Sequence, residues 1–466
     1  LKAKEQKGGR KSKAKKKEAK AKPQAAEGEA KHANVERVIR RSKWDGASRV
    51  YPFDFPDGTD NILFQGEEKS RGGYRAVRCA TLDKLIELVT HPRIPPANTR
   101  TVFLLMYHSF TTPRELLARL VSRYFMPSPI NCAPDELQAV EATQLIVRQR
   151  VKALVMRWIQ DHYTDFEDDP ILKQGMRDFL VLIGWGHRTG VLEEGPKELK
   201  DNARQPIVPK ALPSNITAEN WDFSATGNKD LDIEIARQLC LMAFDEYKQI
   251  RMRDVLDKIF EGKENPHIQA LIRFFNNMSR LVQHTVVTET KLRQRVALFG
   301  KFANIAWECR QQNNFLMSYA ISAALGSNPL YRLRRTKELL GVHTLKKMQQ
   351  LNELYAKGAT SKQYRMSLKH AVTSACVPYI GTTLKDLTFT HDGNNDTVCG
   401  MVNFHKRVLM SDSIQQLDQF QRKRYLFEPV PFIQEQLRKG FEMMESDLGT
   451  EKVLFKKSLD VEPRED

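Results

Sequence analysis

Apolar side chains recur every three or four residues over most of this chain, and this is the spacing of one face of an α-helix. Two such stripes consist of Leu82, Leu85, Ile86 and Val89, and of Leu292, Val296, Phe299, Ala303 and Ala306. Thr112 and Pro113 directly precede a third, where an N-cap residue and a first-turn proline belong. No sustained two-residue alternation typical of strands is present. The sequence therefore predicts an all-α fold with two helical domains.

Changes in composition along the chain predict where those domains begin and end. Residues 1–32 contain no apolar side chain larger than alanine after Leu1, so we expect a disordered basic tail. Charged and turn-forming residues alternate over 33–75, which indicates an irregular lead-in. Helical stripes fill 76–182, the N-terminal helical domain, and they return over 229–466. Glycine and proline are frequent between these two, which predicts a linker over 183–228.

The chain carries a formal charge of +17, and nearly half of the excess lies in the tail, where 12 Lys and Arg face 4 Glu. Three interpretations of the tail stay open: a patch that binds an anionic membrane, a nuclear-localisation or nucleic-acid patch, and a solvated leader. Since the charge is concentrated there, we expect no specific nucleic-acid partner for the folded domains. The first residue is Leu1 rather than methionine, which is compatible with a longer parent protein.

Several classes of protein are excluded by what the sequence lacks. The apolar run at residues 102–107, which no other run exceeds, is far shorter than the roughly 18 residues of a membrane-spanning helix. The six cysteines are scattered without a CxxC pair, so we expect no metal site and no disulfide framework. Neither HExxH nor GxSxG occurs, so we expect no covalent enzyme and no cofactor. These features predict a cytoplasmic protein.

Five short blocks in the second helical domain resemble, in order and spacing, the catalytic domain of Ras-family guanine-nucleotide exchange factors. They are QQNNF at 311–315, NPLYRL at 328–333, CVPYIG at 376–381, DGN at 392–394 and NFHKR at 403–407. Residues 76–125, centred on FLLMYHSF at 103–110, resemble the Ras exchanger motif that precedes this domain in the family. The resemblance implies a protein that promotes GDP release from a Ras-subfamily GTPase. Recruitment to the plasma membrane through the basic tail would suit such a protein.

The resemblance also implies a protruding helical hairpin that wedges beside the nucleotide site of the GTPase. Residues 378–389 would form its first arm, 391–396 its turn and 397–409 the returning arm. Asp392, Asn394 and Thr388 are then the candidate catalytic residues, acting without covalent chemistry. A plain turn is the alternative interpretation of 392–394, because Asp, Gly and Asn are common in turns. The best-known exchangers of the family carry leucine and glutamate where this chain has Thr388 and Asp392.

A separate pocket would bind switch II of the GTPase. The resemblance implies six residues for this GTPase-binding role: Ile272, Arg273, Tyr319, Tyr379, Asn328 and Arg464. Core packing is the alternative interpretation of Ile272, which lies on an apolar helix face. The alternative function is a non-catalytic GTPase-binding scaffold that its basic tail anchors to membrane or nucleic acid.

Overall fold

The computed structural model describes residues 53, 56–69, 75–92, 98–127, 133–195, 207–209, 227–256 and 265–464. The basic tail and much of the lead-in and linker predicted from the sequence lie outside the described residues. Two compact units are present. The first comprises Leu1–Glu198 together with Asn395–Arg407, and the second comprises Leu199–Asn394 and Val408–Asp466.

The first unit is mainly helical, as the sequence predicts. Its helices are α1 (Leu82–Val89), α2 (Thr99–Met106), α3 (Pro113–Tyr124), α4 (Pro134–Asp161), α5 (Thr164–Asp168), α6 (Pro170–Leu182) and α7 (Gly190–Glu194). The N-cap prediction is confirmed, because the Thr112 side chain accepts a hydrogen bond from the Glu115 amide and Pro113 lies in the first turn of α3. Helix α7 lies within the stretch that the sequence predicted as a linker.

A small sheet accompanies these helices, although the sequence predicts no strands. Its strands are β1 (Ile62–Lys69), β2 (Arg75–Ala80), β3 (Thr397–Val398) and β4 (Met401–Val402), in the order β1-β2-β4-β3. The prediction of an irregular segment over 33–75 was therefore wrong for residues 62–69. β1 lacks a regular apolar alternation, and pairing with β2 stabilises it instead.

A buried carboxylate, that of Asp165, is hydrogen-bonded to three side chains in the core of the first unit. Asp165 Oδ2 accepts hydrogen bonds from Tyr107 Oη and, at 2.9 Å, from Trp158 Nε1. Its Oδ1 lies 2.9 Å from His108 Nε2. Burial raises the pKa of Asp165, but the hydrogen bonds from His108, Tyr107 and Trp158 outweigh it and hold the pKa below its usual value. The charged form is therefore the one that stabilises the fold.

We expect Asp165→Asn to lower the free energy of unfolding by about 1–3 kcal/mol at pH 7, because an amide offers one acceptor where the carboxylate offers two. The depressed pKa means that the carboxylate stabilises the fold above its unfolded pKa, about 3.9, and loses this effect as the pH falls through the folded value. The difference between wild type and variant should shrink below about pH 4. Urea unfolding monitored by tryptophan fluorescence measures the free energy of unfolding of both proteins. A difference between them that is constant down to pH 3 would contradict the stabilising role of the charged Asp165.

The second unit is also mainly helical. Its helices are α8 (Lys229–Tyr247), α9 (Pro266–Thr288), α10 (Leu292–Gln311), α11 (Phe315–Leu325), α12 (Asn328–Tyr331), α13 (Arg334–Glu338), α14 (Val342–Leu354), α15 (Ala356–Ala359), α16 (Lys362–Ala371), α17 (Ile380–Asp392), α18 (Phe404–Gln421, which starts in the first unit), α19 (Pro431–Glu445) and α20 (Glu451–Val461). Helix α9 packs against α8, α10, α11, α12, α19 and α20. Among the described residues, no helix has the length and apolar character needed to cross a membrane.

Candidate functional site

Asn314 connects two of the sequence blocks that are far apart in the chain. Its side chain caps α11 by accepting a hydrogen bond from the Met317 amide, and it donates to the Leu239 carbonyl at 3.2 Å. The next amide, Phe315 N, donates to the Val377 carbonyl at 2.9 Å. The block at 376–381 is thereby held against the N-terminal end of α11. A buried asparagine is needed here because no apolar side chain could satisfy these backbone groups.

Three aromatic rings then meet beside this junction, and we call Phe275, Tyr319 and Tyr379 the aromatic cluster. The ring centroids of Tyr319 and Tyr379 are 4.7 Å apart, and Phe275 lies 5.7 Å and 5.5 Å from them. All three rings are half-buried. Burial raises the pKa of both tyrosines, so their hydroxyl groups stay protonated at neutral pH. The cluster therefore offers a contact partner apolar rings with neutral hydrogen-bonding hydroxyls.

Residues behind the aromatic cluster hold Tyr379 in place. The buried Tyr364 hydroxyl accepts a hydrogen bond from the Tyr379 amide at 2.8 Å. Gly381 leaves room for the ring, since a Cβ atom there would lie 2.5 Å from the Tyr379 hydroxyl oxygen. Tyr355 stacks on Tyr319 with a centroid distance of 4.9 Å. Tyr379 and Gly381 of the 376–381 block thus depend on each other, because the glycine leaves the space that the tyrosine ring occupies.

Helix α9 contributes the predicted residues Ile272 and Arg273. Ile272 is half-buried and lies one turn before Phe275, so the two share a face of the helix. Arg273 is exposed beside them. The structure brings Tyr319 and Tyr379 into contact. Phe275 is not among the site residues predicted from the sequence, and its spacing of three from Ile272 was the available signal.

Helix α17 and the turn directly after it supply the candidate catalytic residues. The Thr388 hydroxyl donates to the Leu384 carbonyl at 3.0 Å, and the Asn394 amide donates to the Thr390 carbonyl at 2.8 Å. Both polar groups therefore bond the backbone of their own helix end. Asp392 is the last residue of the helix, its side chain is 51% exposed, and its Oδ1 lies 3.5 Å from His391 Nδ1. Of these three residues, Asp392 alone carries a charge, and its carboxylate is exposed.

The helix α17 and the chain after it differ from the predicted hairpin in two respects. The first arm extends to Asp392, beyond the predicted end at 389. The returning segment, predicted over 397–409, is not a single helix: it starts with the two short strands β3 and β4 and becomes helical at Phe404. The turn between β3 and β4 requires positive φ angles at Cys399 and Gly400, which the apolar pattern alone does not reveal.

Asn328 and Arg464 lie near an anchored chain end. Asn328 is exposed at the start of α12, and Arg464 is exposed two residues beyond the buried Glu462. Glu462 Oε1 lies 3.1 Å from Arg295 Nη2 and accepts a hydrogen bond from the Thr336 amide at 3.0 Å. Glu462 is not among the residues predicted from the sequence. It holds the end of α20 against the start of α13, and Arg464 follows two residues later.

Two known protein-family domains match this chain. The RasGEF domain is matched by residues 234–408, and the RasGEF N-terminal motif by residues 76–179. The first of these regions includes the aromatic cluster, Ile272, Arg273, Asn328 and the whole of α17. The order of the two regions is the one that the sequence analysis expected.

Several individual proteins are similar to this chain over most of its length. Ras guanine nucleotide exchange factor I of Dictyostelium discoideum is 32% identical over 405 residues, which cover 83% of this chain and 47% of that protein. Cell division control protein 25 of Candida albicans is 28% identical, covering 84% of this chain and 30% of the relative. Protein son of sevenless of Drosophila melanogaster is 25% identical, covering 89% of this chain and 28% of that protein. The chain thus spans about half the length of these relatives, or less.

Proposed function

Because this chain belongs to the family of Ras guanine-nucleotide exchange factors, we propose that it promotes the release of GDP from a small GTPase of the Ras subfamily. The observation that carries the proposal is the RasGEF domain match over residues 234–408, which includes both the aromatic cluster and α17. The reaction makes and breaks no covalent bond. It requires only that the protein bind the nucleotide-free GTPase more tightly than the GDP-bound form.

We assign GTPase binding mainly to the face of α9 and α11 that carries the aromatic cluster. Half-buried tyrosines bury large apolar area on contact while their hydroxyls find hydrogen-bond partners, and such residues dominate the energy of protein interfaces. Arg273 beside them would pair with a carboxylate of switch II. Helix α9 also packs against α12, so the proposed binding face extends towards Asn328.

We assign nucleotide release to the end of α17. The C-terminal end of a helix carries a partial negative charge, and the exposed carboxylate of Asp392 adds a full one. Placed near the phosphates and Mg²⁺ of the GTPase, this charge would repel the phosphates and compete for their hydrogen-bond donors. Thr388 lies one turn earlier on the same face and would add bulk to the wedge.

The size of the required effect argues for an extended interface. A picomolar nucleotide complex corresponds to about −16 kcal/mol. Accelerating release by roughly 10⁵-fold requires lowering the barrier by about 7 kcal/mol. A single exposed carboxylate does not supply this, whereas an interface of about 2,000 Å² does. Asp392 therefore acts together with the aromatic cluster rather than alone.

The experiment that tests the proposal is a release assay with fluorescent GDP on a panel of purified Ras-subfamily GTPases. The exchanger is added at one-twentieth of the GTPase concentration, with excess unlabelled GTP. We expect at least one GTPase to lose all its label at a rate proportional to exchanger concentration, through many turnovers. Binding without accelerated release would instead support the non-catalytic scaffold.

We also propose that the basic tail, residues 1–32, draws the protein to anionic membranes. Its net charge of +8 would be attracted by about 1 kcal/mol per basic residue near such a surface. Deleting residues 1–32 should remove most of the binding to vesicles of phosphatidylserine and phosphatidylcholine at low salt, and leave release in solution unchanged. Sedimentation with the vesicles measures this, with pure phosphatidylcholine as the control. Equal sedimentation of both forms would exclude the membrane role.

A further inference from the structure

A cavity of about 290 Å³ opens in the second unit between α11, the residues that follow it, and α14. Its apolar lining comes from Leu325, Met348 and Leu351. Ser322 and Asn352 line it with polar groups, and their side chains are 3.5 Å apart. We call this cavity the α11–α14 pocket. Its volume suits one side chain of a partner protein.

Lys337 and Tyr331 complete the wall of the α11–α14 pocket. The Lys337 ammonium lies 4.1 Å from the centre of the Tyr331 ring. Lys337 is half-buried, and burial lowers the pKa of its ammonium group. Within the described part of the chain, no carboxylate lies at ion-pair distance from it. A partly desolvated cation without a counter-charge attracts an anion that enters the pocket.

The chemistry of the lining selects among anions. An apolar lining of two leucines and a methionine favours an aliphatic stem, and the ammonium group favours a negative end. A glutamate side chain combines the two within a single residue. A phosphate group lacks an aliphatic stem and would leave the apolar lining of Leu325, Met348 and Leu351 without a matching contact.

The chain segment that contributes Tyr331 and Lys337 to the α11–α14 pocket also carries several exposed apolar side chains. Large apolar side chains are exposed at Tyr331, Leu339, Val342 and Leu345, with exposed fractions of 68%, 57%, 79% and 47%. They lie within fifteen consecutive positions of the chain, 331–345. Exposed apolar groups of this density mark surfaces that a partner covers.

The α11–α14 pocket is continuous with the proposed GTPase-binding face. Gly326 lines the pocket, and the exposed Asn328 follows two residues later. Glu462 further restrains this region by accepting hydrogen bonds from the amides of Arg335 and Thr336, directly before Lys337. Glu462 thus restrains the backbone directly before Lys337.

We propose that the α11–α14 pocket receives a glutamate side chain of the GTPase, and that Lys337 is a specificity-determining residue which selects GTPases with this glutamate. The proposal rests on the proposed exchange function, because it assigns one contact within that interface. Lys337 acts on recognition of the GTPase and has no role at the nucleotide.

The test compares three exchanger variants on the GTPase that responds best to the wild type. Lys337→Glu reverses the charge, and Lys337→Met removes it while keeping the apolar stem. Lys346→Glu is the matched control, since it makes the same charge change at an exposed position on the opposite face of α14. We expect kcat/KM to fall about tenfold or more for Lys337→Glu, mainly through KM, and less for Lys337→Met. The control should remain within about twofold of the wild type.

A charge swap then identifies the partner residue. Each surface glutamate of the GTPase is changed to lysine in turn, and every variant is assayed with wild-type and Lys337→Glu exchanger. One GTPase variant should respond poorly to the wild type and regain activity with Lys337→Glu, which a merely structural role of Lys337 would not produce.

The outcomes separate the two hypotheses. If the wild type accelerates release but Lys337→Glu behaves like the Lys346→Glu control, the pocket proposal is overturned while the exchange function stands. Absence of any rescuing glutamate in the swap also overturns it. If the wild type accelerates release from no GTPase, the exchange function itself fails and the pocket proposal falls with it.

Discussion

Arg273→Glu is expected to weaken the complex with nucleotide-free GTPase at least about 100-fold, because it puts a like charge where a carboxylate of switch II would bind. Arg273 is exposed on α9, next to the aromatic cluster, so the substitution changes no core volume. The melting temperature should therefore stay within about 2 °C of the wild type. Affinity is measured by titrating immobilised nucleotide-free GTPase.

Lys439→Glu is the control for this prediction. It reverses an exposed cation on α19 whose partner is the equally exposed Glu435, and such surface pairs contribute little to stability. We expect it to bind normally. If Arg273→Glu also binds normally, Arg273 does not contact the GTPase. If Arg273→Glu unfolds, the arginine is a structural residue.

Asp392→Ala is expected to lower the maximal rate of GDP release by roughly tenfold to a hundredfold, while the half-saturating exchanger concentration changes less than threefold. The two quantities separate because binding is assigned to the aromatic cluster and release to the end of α17. Stopped-flow release of labelled GDP at several exchanger concentrations yields both. A change in the half-saturating concentration alone would make Asp392 an ordinary docking contact.

The stability of the same variant provides an independent check. A carboxylate at the C-terminal end of a helix is unfavourable, because the helix dipole is negative there. Asp392→Ala should therefore leave the melting temperature unchanged or raise it slightly. If Asp392 were instead a plain turn residue, its removal would lower the melting temperature. Asp392→Glu should preserve the rate, since it keeps the charge.

Asp386→Ala is the matched control on α17. It removes a carboxylate six residues earlier, where Asp386 pairs with Arg365 at 2.7 Å on a partly exposed surface. We expect its maximal rate to stay near that of the wild type. A fall as large as that of Asp392→Ala would show that net charge on the helix matters rather than its position.

Local sequence determined the helices of this protein because a helix depends on residues three and four positions apart. The cap at Thr112 is an example, since the residues that form it lie within one turn. The sequence blocks likewise indicated the family, since their order and spacing are properties of the chain itself. The candidate residues Tyr319, Tyr379 and Asp392 could be named in this way before any packing was known.

Contacts between distant segments were decided only by the tertiary structure, because no local pattern specifies which helix faces meet. Phe275 joins tyrosines that lie 44 and 104 positions later in the chain, and its half-buried state depends on how α9 and α11 pack. β1 forms because β2 pairs with it, although its own residues show no strand pattern. The half-buried cation of the α11–α14 pocket also arises from packing. In the sequence Lys337 is one charge among many, and only the approach of Tyr331 and α14 places it in the wall of a cavity.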